Sequence, residues 1–136
     1  MKVNKYIAIL CALSVTTAYA ANTDYGENPA LNLVAGGNNV FYGIANSDGI
    51  GGGFGVVYSW NASSNTYAAV ADNIPNIEGT PVVASDGSIY VLSSQGSGNP
   101  NGVLYHIVNG VATPVHVFTN TSGEGANPNF ITMVPD

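Results

Sequence analysis

Two histidines, His106 and His116, are the residues of this sequence best suited to metal or acid–base chemistry. They lie in two β-rich runs joined by Asn109-Gly110, a dipeptide typical of a tight hairpin because both residues accept positive φ. Opposed positions in such a hairpin can bring two imidazoles to one metal ion. The first half of the chain has Ser59 and Ala69 at the corresponding places, and no third ligand is evident. We therefore predict no metal site and no cofactor.

The carboxylates are the second group of residues that could support catalysis or metal binding. A glycosidase needs two carboxyl groups within about 5–10 Å of each other. Glu78 and Glu124 stand in near-equivalent positions shortly before a proline, which indicates repetition, and repeated units hold such groups apart. Asp48-Gly49 and Asp86-Gly87 offer oxygens to Ca²⁺, but without alternating acidic residues they are typical of ordinary turns. We predict no catalytic residues and no enzyme; the competing hypothesis is a hydrolase that uses His106 or Glu124.

Aromatic rings beside amides are the third feature. Sugar-binding surfaces combine rings, which stack on CH faces, with amides that bind hydroxyl groups. Several tyrosines recur along the chain, as Tyr42 and Tyr90 do, which predicts packing residues. The single tryptophan, Trp60, does not recur, because Ile107 stands in its place. We predict ligand contacts at Trp60, Asn61 and Tyr67; the alternative is a tryptophan in the core or in an interface.

The distribution of charge excludes whole classes of function. The chain has 136 residues, with 2 Lys+Arg, 8 Asp+Glu and a formal net charge of −6. Both basic residues, Lys2 and Lys5, precede Ala21, and all the acidic residues follow it. Nucleic-acid binding requires Lys or Arg to neutralise phosphates, so no nucleic-acid partner is expected.

The first twenty residues have the pattern of a secretion signal. Lys2 and Lys5 precede an apolar run at 6–15, and Ala18-Tyr19-Ala20 supplies a small-x-small cleavage site. The run is shorter than the about 20 residues that span a bilayer. The single cysteine, Cys11, lies inside it, so the mature chain has no thiol. We predict a signal peptide at 1–20 and a secreted protein, extracellular or periplasmic, with or without attachment to the cell surface.

The remaining residues, 21–136, contain an internal repeat of about 47 residues. The segment 55–58, Gly-Val-Val-Tyr, matches 102–105, Gly-Val-Leu-Tyr, and Pro81 matches Pro128 at the same offset. The predicted copies span about 26–78 and 79–125, with a partial third copy at 126–136.

Each copy contains four short apolar runs bounded by Gly, Asn and Asp, which predicts four strands. The runs are 31–35, 40–45, 54–60 and 66–70, then 82–84, 88–92, 103–108 and 112–118. A further run at 129–134 resembles the first strand of another copy. We predict an all-β fold of two four-stranded, propeller-blade-like repeats plus the first strand of a third. Three arrangements remain open: a propeller closed between chains, a sandwich of two sheets, and a fragment of a longer array.

The repeats resemble the GloVer-type tandem repeats of secreted and autotransporter-like bacterial proteins. The segments that carry the resemblance are 39–43, 51–53, 55–58 and 125–128, then 86–90, Gly98 and 102–105. Val91 departs from that pattern, which has glycine there. The resemblance implies an extracellular, propeller-like repeat, with no catalytic residues to carry over.

Two functional hypotheses follow. The first is a secreted, non-enzymatic β-repeat protein that presents a surface for adhesion or assembly. The second is a carbohydrate-binding module formed when chains close a propeller by oligomerisation. The expected partners are further copies of the chain, a glycan or another surface, with no membrane insertion after signal cleavage.

Overall fold

The computed structural model describes residues 27–47, 54–96 and 98–134. The predicted signal peptide and the Asp48-Gly49 turn lie outside these ranges. Within them the chain forms strands and turns without a helix, as predicted. In particular, no helix long and apolar enough to cross a membrane occurs in the described ranges.

Eight antiparallel strands form two four-stranded sheets in simple sequential order, and each of the eight predicted runs overlaps one strand. The first sheet contains β1 (Glu27–Gly37), β2 (Val40–Ser47), β3 (Phe54–Asn61) and β4 (Thr66–Pro75). The second contains β5 (Ile77–Val83), β6 (Ile89–Ser93), β7 (Val103–Val108) and β8 (Val111–Val117). The sheets meet at Asn76, a single residue with a φ of 42°.

Asparagine and glycine form the turns because both tolerate positive φ. The Asn109-Gly110 hairpin has φ values of 51° and 81°, as predicted for a type I′ turn. The β1–β2 turn contains Gly37, Asn38 and Asn39, all with positive φ. These residues disfavour helix interiors, so turn chemistry and strand patterning agree on an all-β fold.

The two sheets repeat one another in register. Ile44 lies opposite Val57 in the first sheet, and Leu92 lies opposite Leu104 at the equivalent place in the second. One irregularity of the outer ladder repeats as well. The β3–β4 ladder shifts beside Val70, and the β7–β8 ladder shifts beside Val115. Bulges are conserved between related structures, so the shared bulge indicates that the two sheets are copies of one unit.

The repeat offset changes within each copy, which sequence matching did not detect. The pair Asn61–Thr66 closes the β3–β4 hairpin, whereas Val108–Val111 closes the β7–β8 hairpin. The first connection is therefore two residues longer. Beyond it, the structural counterpart of His116 is Ala71 and not Ala69, since both lie opposite the equivalent residues of β3 and β7.

The main core lies between the sheets. Ile44, Val57 and Ala71 of the first sheet contact a face of the second sheet, and all are at most 5% exposed. The partners on the second sheet are Ile89, Val91, Val103, Tyr105 and Ile107. The buried Ser93 hydroxyl adds a polar link, because it donates a hydrogen bond to the Pro75 carbonyl at 2.5 Å. The two sheets therefore contribute opposite faces of the repeated unit to the main core, so they stack front to back.

The segment 126–134 follows the second sheet without entering a strand. The strand predicted at 129–134 is thus not formed by the described residues. The segment nevertheless lies against the second sheet: the Asn127 amide donates to the Asn101 carbonyl at 2.7 Å, and Pro128 contacts Gly102.

Candidate functional site: an aromatic face on the first sheet

Three neighbouring strands place three aromatic residues side by side. Phe41 on β2 lies opposite Trp60 on β3, and Trp60 lies opposite Tyr67 on β4. Directly opposed residues share one face of a sheet. The predicted ligand contacts Trp60 and Tyr67 are therefore adjacent, and they share their face with Phe41.

Tyr58 completes this aromatic face, because it precedes Trp60 by two positions on β3 and strand side chains alternate. Its ring stacks on Tyr67 with centroids 4.6 Å apart and an interplanar angle of 26°. Phe41 and Trp60 pack with centroids 5.7 Å apart, tilted by 33°. We call Phe41, Tyr58, Trp60 and Tyr67 the aromatic face. Tyr58 is buried and the other three are half-buried.

The β3–β4 turn fixes the edge of this face with amide groups. The Trp60 indole N–H donates a hydrogen bond to Asn65 Oδ1 at 3.2 Å. Asn61 Oδ1 accepts from the amides of Ser63 and Ser64 at 2.9 and 3.1 Å, so Asn61 organises the turn. The predicted contact Asn61 thus lies beside the aromatic face and positions its edge.

The same face has a different composition in the second sheet. The counterparts of Phe41 and Trp60 are Ile89 and Ile107, and both are buried against the first sheet. Ala112, which lies opposite Ile107, stands where the first sheet has Tyr67. A face that packs as an aliphatic core in one copy is aromatic and partly accessible in the other. This exchange marks the aromatic face as the strongest candidate site.

The aromatic face contains no charged side chain. Burial raises the pKa of Tyr58, so its phenol stays protonated at neutral pH. Such a surface offers stacking area, phenol hydroxyls and edge amides, without a general base or a nucleophile. It is suited to neutral ligands or to another protein surface.

The two histidines are not brought together. His106 lies opposite Thr113 and stacks on Tyr90, with centroids 4.4 Å apart. His116 lies opposite Leu104 and contacts Glu124, with 2.8 Å between Nε2 and Oε1. The possibility that opposed strand positions unite the imidazoles is wrong, because the hairpin register separates them. His106 Nε2 is buried without a hydrogen-bond partner among the described residues.

Glu124 closes the loop that follows β8. Its carboxylate accepts hydrogen bonds from the Thr119 hydroxyl and from the Thr119 amide, the latter at 3.1 Å. These hydrogen bonds, above all the hydroxyl one, and the neighbouring His116 lower the pKa of Glu124. Glu78 lies exposed on β5, opposite Leu92, and takes no part in this cluster.

Asp86 serves the β5–β6 turn. Its Oδ1 accepts from the Ser88 hydroxyl at 2.7 Å and from the Ser88 amide at 2.9 Å. These bonds hold the pKa of Asp86 below its ordinary value. The interpretation of Asp86-Gly87 as turn chemistry is confirmed.

Sequence reasoning missed Phe41 and Tyr58 as members of the site, since their place depends on cross-strand register. The available signal was the non-recurrence of Trp60, extended to the residues opposite it. Comparison with protein-family models, curated proteins and solved structures finds no match for this chain.

Proposed function

We propose that this chain is a secreted, non-enzymatic β-repeat protein that presents a surface for adhesion or assembly, and that the aromatic face is this surface. The observation that carries the proposal is a difference between the two sheets at equivalent positions. The first sheet has Phe41, Trp60 and Tyr67 where the second has Ile89, Ile107 and Ala112. The second sheet packs on the first through this face. The equivalent face of the first sheet is aromatic, and its flatness suits a flat partner.

The stacking direction supports a propeller-like interpretation, in agreement with the GloVer resemblance. One face of each unit receives the opposite face of the next, as Ile44 and Val57 receive Ile89 and Ile107. Repetition of this step produces a ring or an open array. The acidic composition favours solubility and repels anionic membranes, which suits a protein outside the cell.

Light scattering after size exclusion tests the assembly branch, and retention on cells and matrix polymers tests the adhesion branch. Trp60→Ala should lower whichever activity is present at least tenfold, because it removes the centre of the aromatic face. Phe118→Ala is the matched control, since Phe118 is half-buried and packs on His116 in the second copy. Equal loss in both variants would contradict the proposal.

A second candidate function, carbohydrate binding, is favoured by one specific observation. The half-buried Trp60 and Tyr67 rings lie beside the asparagine-rich turn that contains Asn61 and Asn65. Rings and amides in this combination suit a neutral sugar. A screen of neutral glycans against the monomer, with Trp60→Ala in parallel, separates this function from assembly: sugar binding requires an accessible aromatic face, and stacking covers it.

A further inference from the structure

Segment 126–134 lies on the second sheet in the place that β5 takes on the first. Gly55 and Gly102 are equivalent in the repeat, and the space beside each is filled by the chain segment that follows its sheet. At Gly55 the filling residue is Ile77 of β5, and at Gly102 it is Pro128. The segment then passes Gly79, whose missing side chain leaves room for the Asn129 carbonyl.

The face beneath the segment points away from the first sheet. Leu92 alternates with Val91, so it lies on the side opposite the main core, and yet it is only 3% exposed. Its far end lies near the ends of β1 and β5, because Met133 and Val134 line one cavity with Ala35, Val83 and Ala84. The segment therefore follows β1 and β5 in the direction in which the sheets stack, without forming a strand itself.

Segment 126–134 is unpaired in any sheet of the described residues and partly exposed. No strand of the described residues pairs with 126–134, and three large apolar side chains remain in contact with solvent. Phe130 is 73% exposed, Met133 50% and Val134 80%. Unpaired backbone beside apolar side chains is a template for an added strand.

The sequence of the segment indicates which strand would pair with it. It begins with Asn127-Pro128, as β1 begins with Asn28-Pro29 after its first residue. The partner of β1 is β2, and their ladder shifts register twice, between Ala30 and Val34 and between Ala35 and Gly37. The segment begins with the same Asn-Pro dipeptide as β1, so β2 is the strand that suits it as a partner.

We propose that segment 126–134 of one copy pairs with β2 of a second copy in place of that copy's β1. The inference rests on the assembly branch of the proposed function and names its partner: the same chain, added head to tail. This strand exchange places the first sheet of the second copy over the second sheet of the copy that provides the segment. Its aromatic face then covers Tyr90 and His106, as Ile89 and Ile107 cover the first sheet within one chain.

The first test compares two variants of the purified chain that differ only in location. Met133→Asp places a charge in the segment, and Val115→Asp places one on β8, where Val115 is 51% exposed. We expect Met133→Asp to reduce the oligomer to monomer mass and Val115→Asp to leave the mass unchanged. Equal effects of the two charges would overturn the proposal, because they would indicate general apolar association.

The second test locates the exchanged strand by cross-linking in chains from Ala21 onward, which contain no other cysteine. Asn46→Cys on β2 and Asn129→Cys in the segment are mixed as separate chains and treated with a short bifunctional thiol reagent. The exposed Asn120→Cys replaces Asn129→Cys in the control mixture. We expect a heterodimer at least ten times more abundant with Asn129→Cys. Oligomers without this preference would overturn the strand exchange and leave assembly standing; a monomer at every concentration would overturn both and leave adhesion.

Discussion

The ring of Tyr58 lies across the position where Gly43 lacks a side chain, so that a Cβ on Gly43 would meet the Tyr58 ring at 2.5 Å. The two residues are directly opposed on β2 and β3. In the second copy the opposed pair is Val91 and Tyr105, and there the valine is buried in the main core. Gly43 is therefore the residue that lets Tyr58 lie flat and stack on Tyr67.

Replacement of Gly43 tests this relationship. Gly43→Ala should destabilise the chain by about 1–3 kcal/mol, because an added methyl group forces the Tyr58 ring out of place. Urea denaturation measures the change. Gly43→Ala combined with Tyr58→Leu should be less destabilised than the sum of the two single variants, since the clash disappears. Simple additivity would show that the contact between the two residues does not matter.

The main core should couple the two sheets into one unfolding unit. Ile44→Ala should cost about 2–5 kcal/mol, because Ile44 is fully buried between the sheets and the cavity cannot close. Leu33→Ala is the control, since Leu33 on β1 is 47% exposed and should change stability by less than about 0.5 kcal/mol. Fluorescence from Trp60 in the first sheet and exchange of β7 amides in the second should report one transition. Separate midpoints would mean that the sheets fold independently.

The strands were predictable because their causes are local. Apolar alternation and turn dipeptides such as Asn109-Gly110 act over a few residues, and each of the eight runs overlaps one strand. Register is not local: the longer β3–β4 connection moves the counterpart of His116 from Ala69 to Ala71. For the same reason the sequence did not indicate Phe41 and Tyr58 as site residues, because their neighbours are set by pairing across strands.

Acid should weaken the loop that Glu124 closes. The folded-state pKa of Glu124 is lowered, chiefly by the Thr119 hydroxyl. Its contribution to stability is therefore present above the pKa of an unfolded glutamate and is lost as pH falls through the lowered folded value. Glu124→Gln should be less stable than the original chain at pH 7, and the difference should vanish in strong acid.

The control for Glu124 is Glu78→Gln, which removes the same charge from an exposed position on β5. Urea denaturation from pH 7 down to pH 2 measures both variants. A constant difference between Glu124→Gln and the original chain at every pH would contradict the assignment, because it would not depend on the carboxylate. A matching pH dependence in Glu78→Gln would point to net charge instead of the hydrogen bonds from Thr119.

Trp60 makes the aromatic face observable without a label. It is the only tryptophan of the chain, and its ring packs on Phe41 while its N–H binds Asn65. Assembly or sugar binding on the aromatic face should shift its emission to shorter wavelength, because either partner removes water from the ring. Dilution should reverse the shift if the partner is a second copy, whereas a neutral glycan should cause it at constant protein concentration.

Tyr67→Ala should reduce both responses, and Tyr90→Ala should reduce only the response to self-association, since Tyr90 lies on the second sheet. An emission spectrum that stays constant through dilution and glycan titration would exclude the aromatic face as the binding surface.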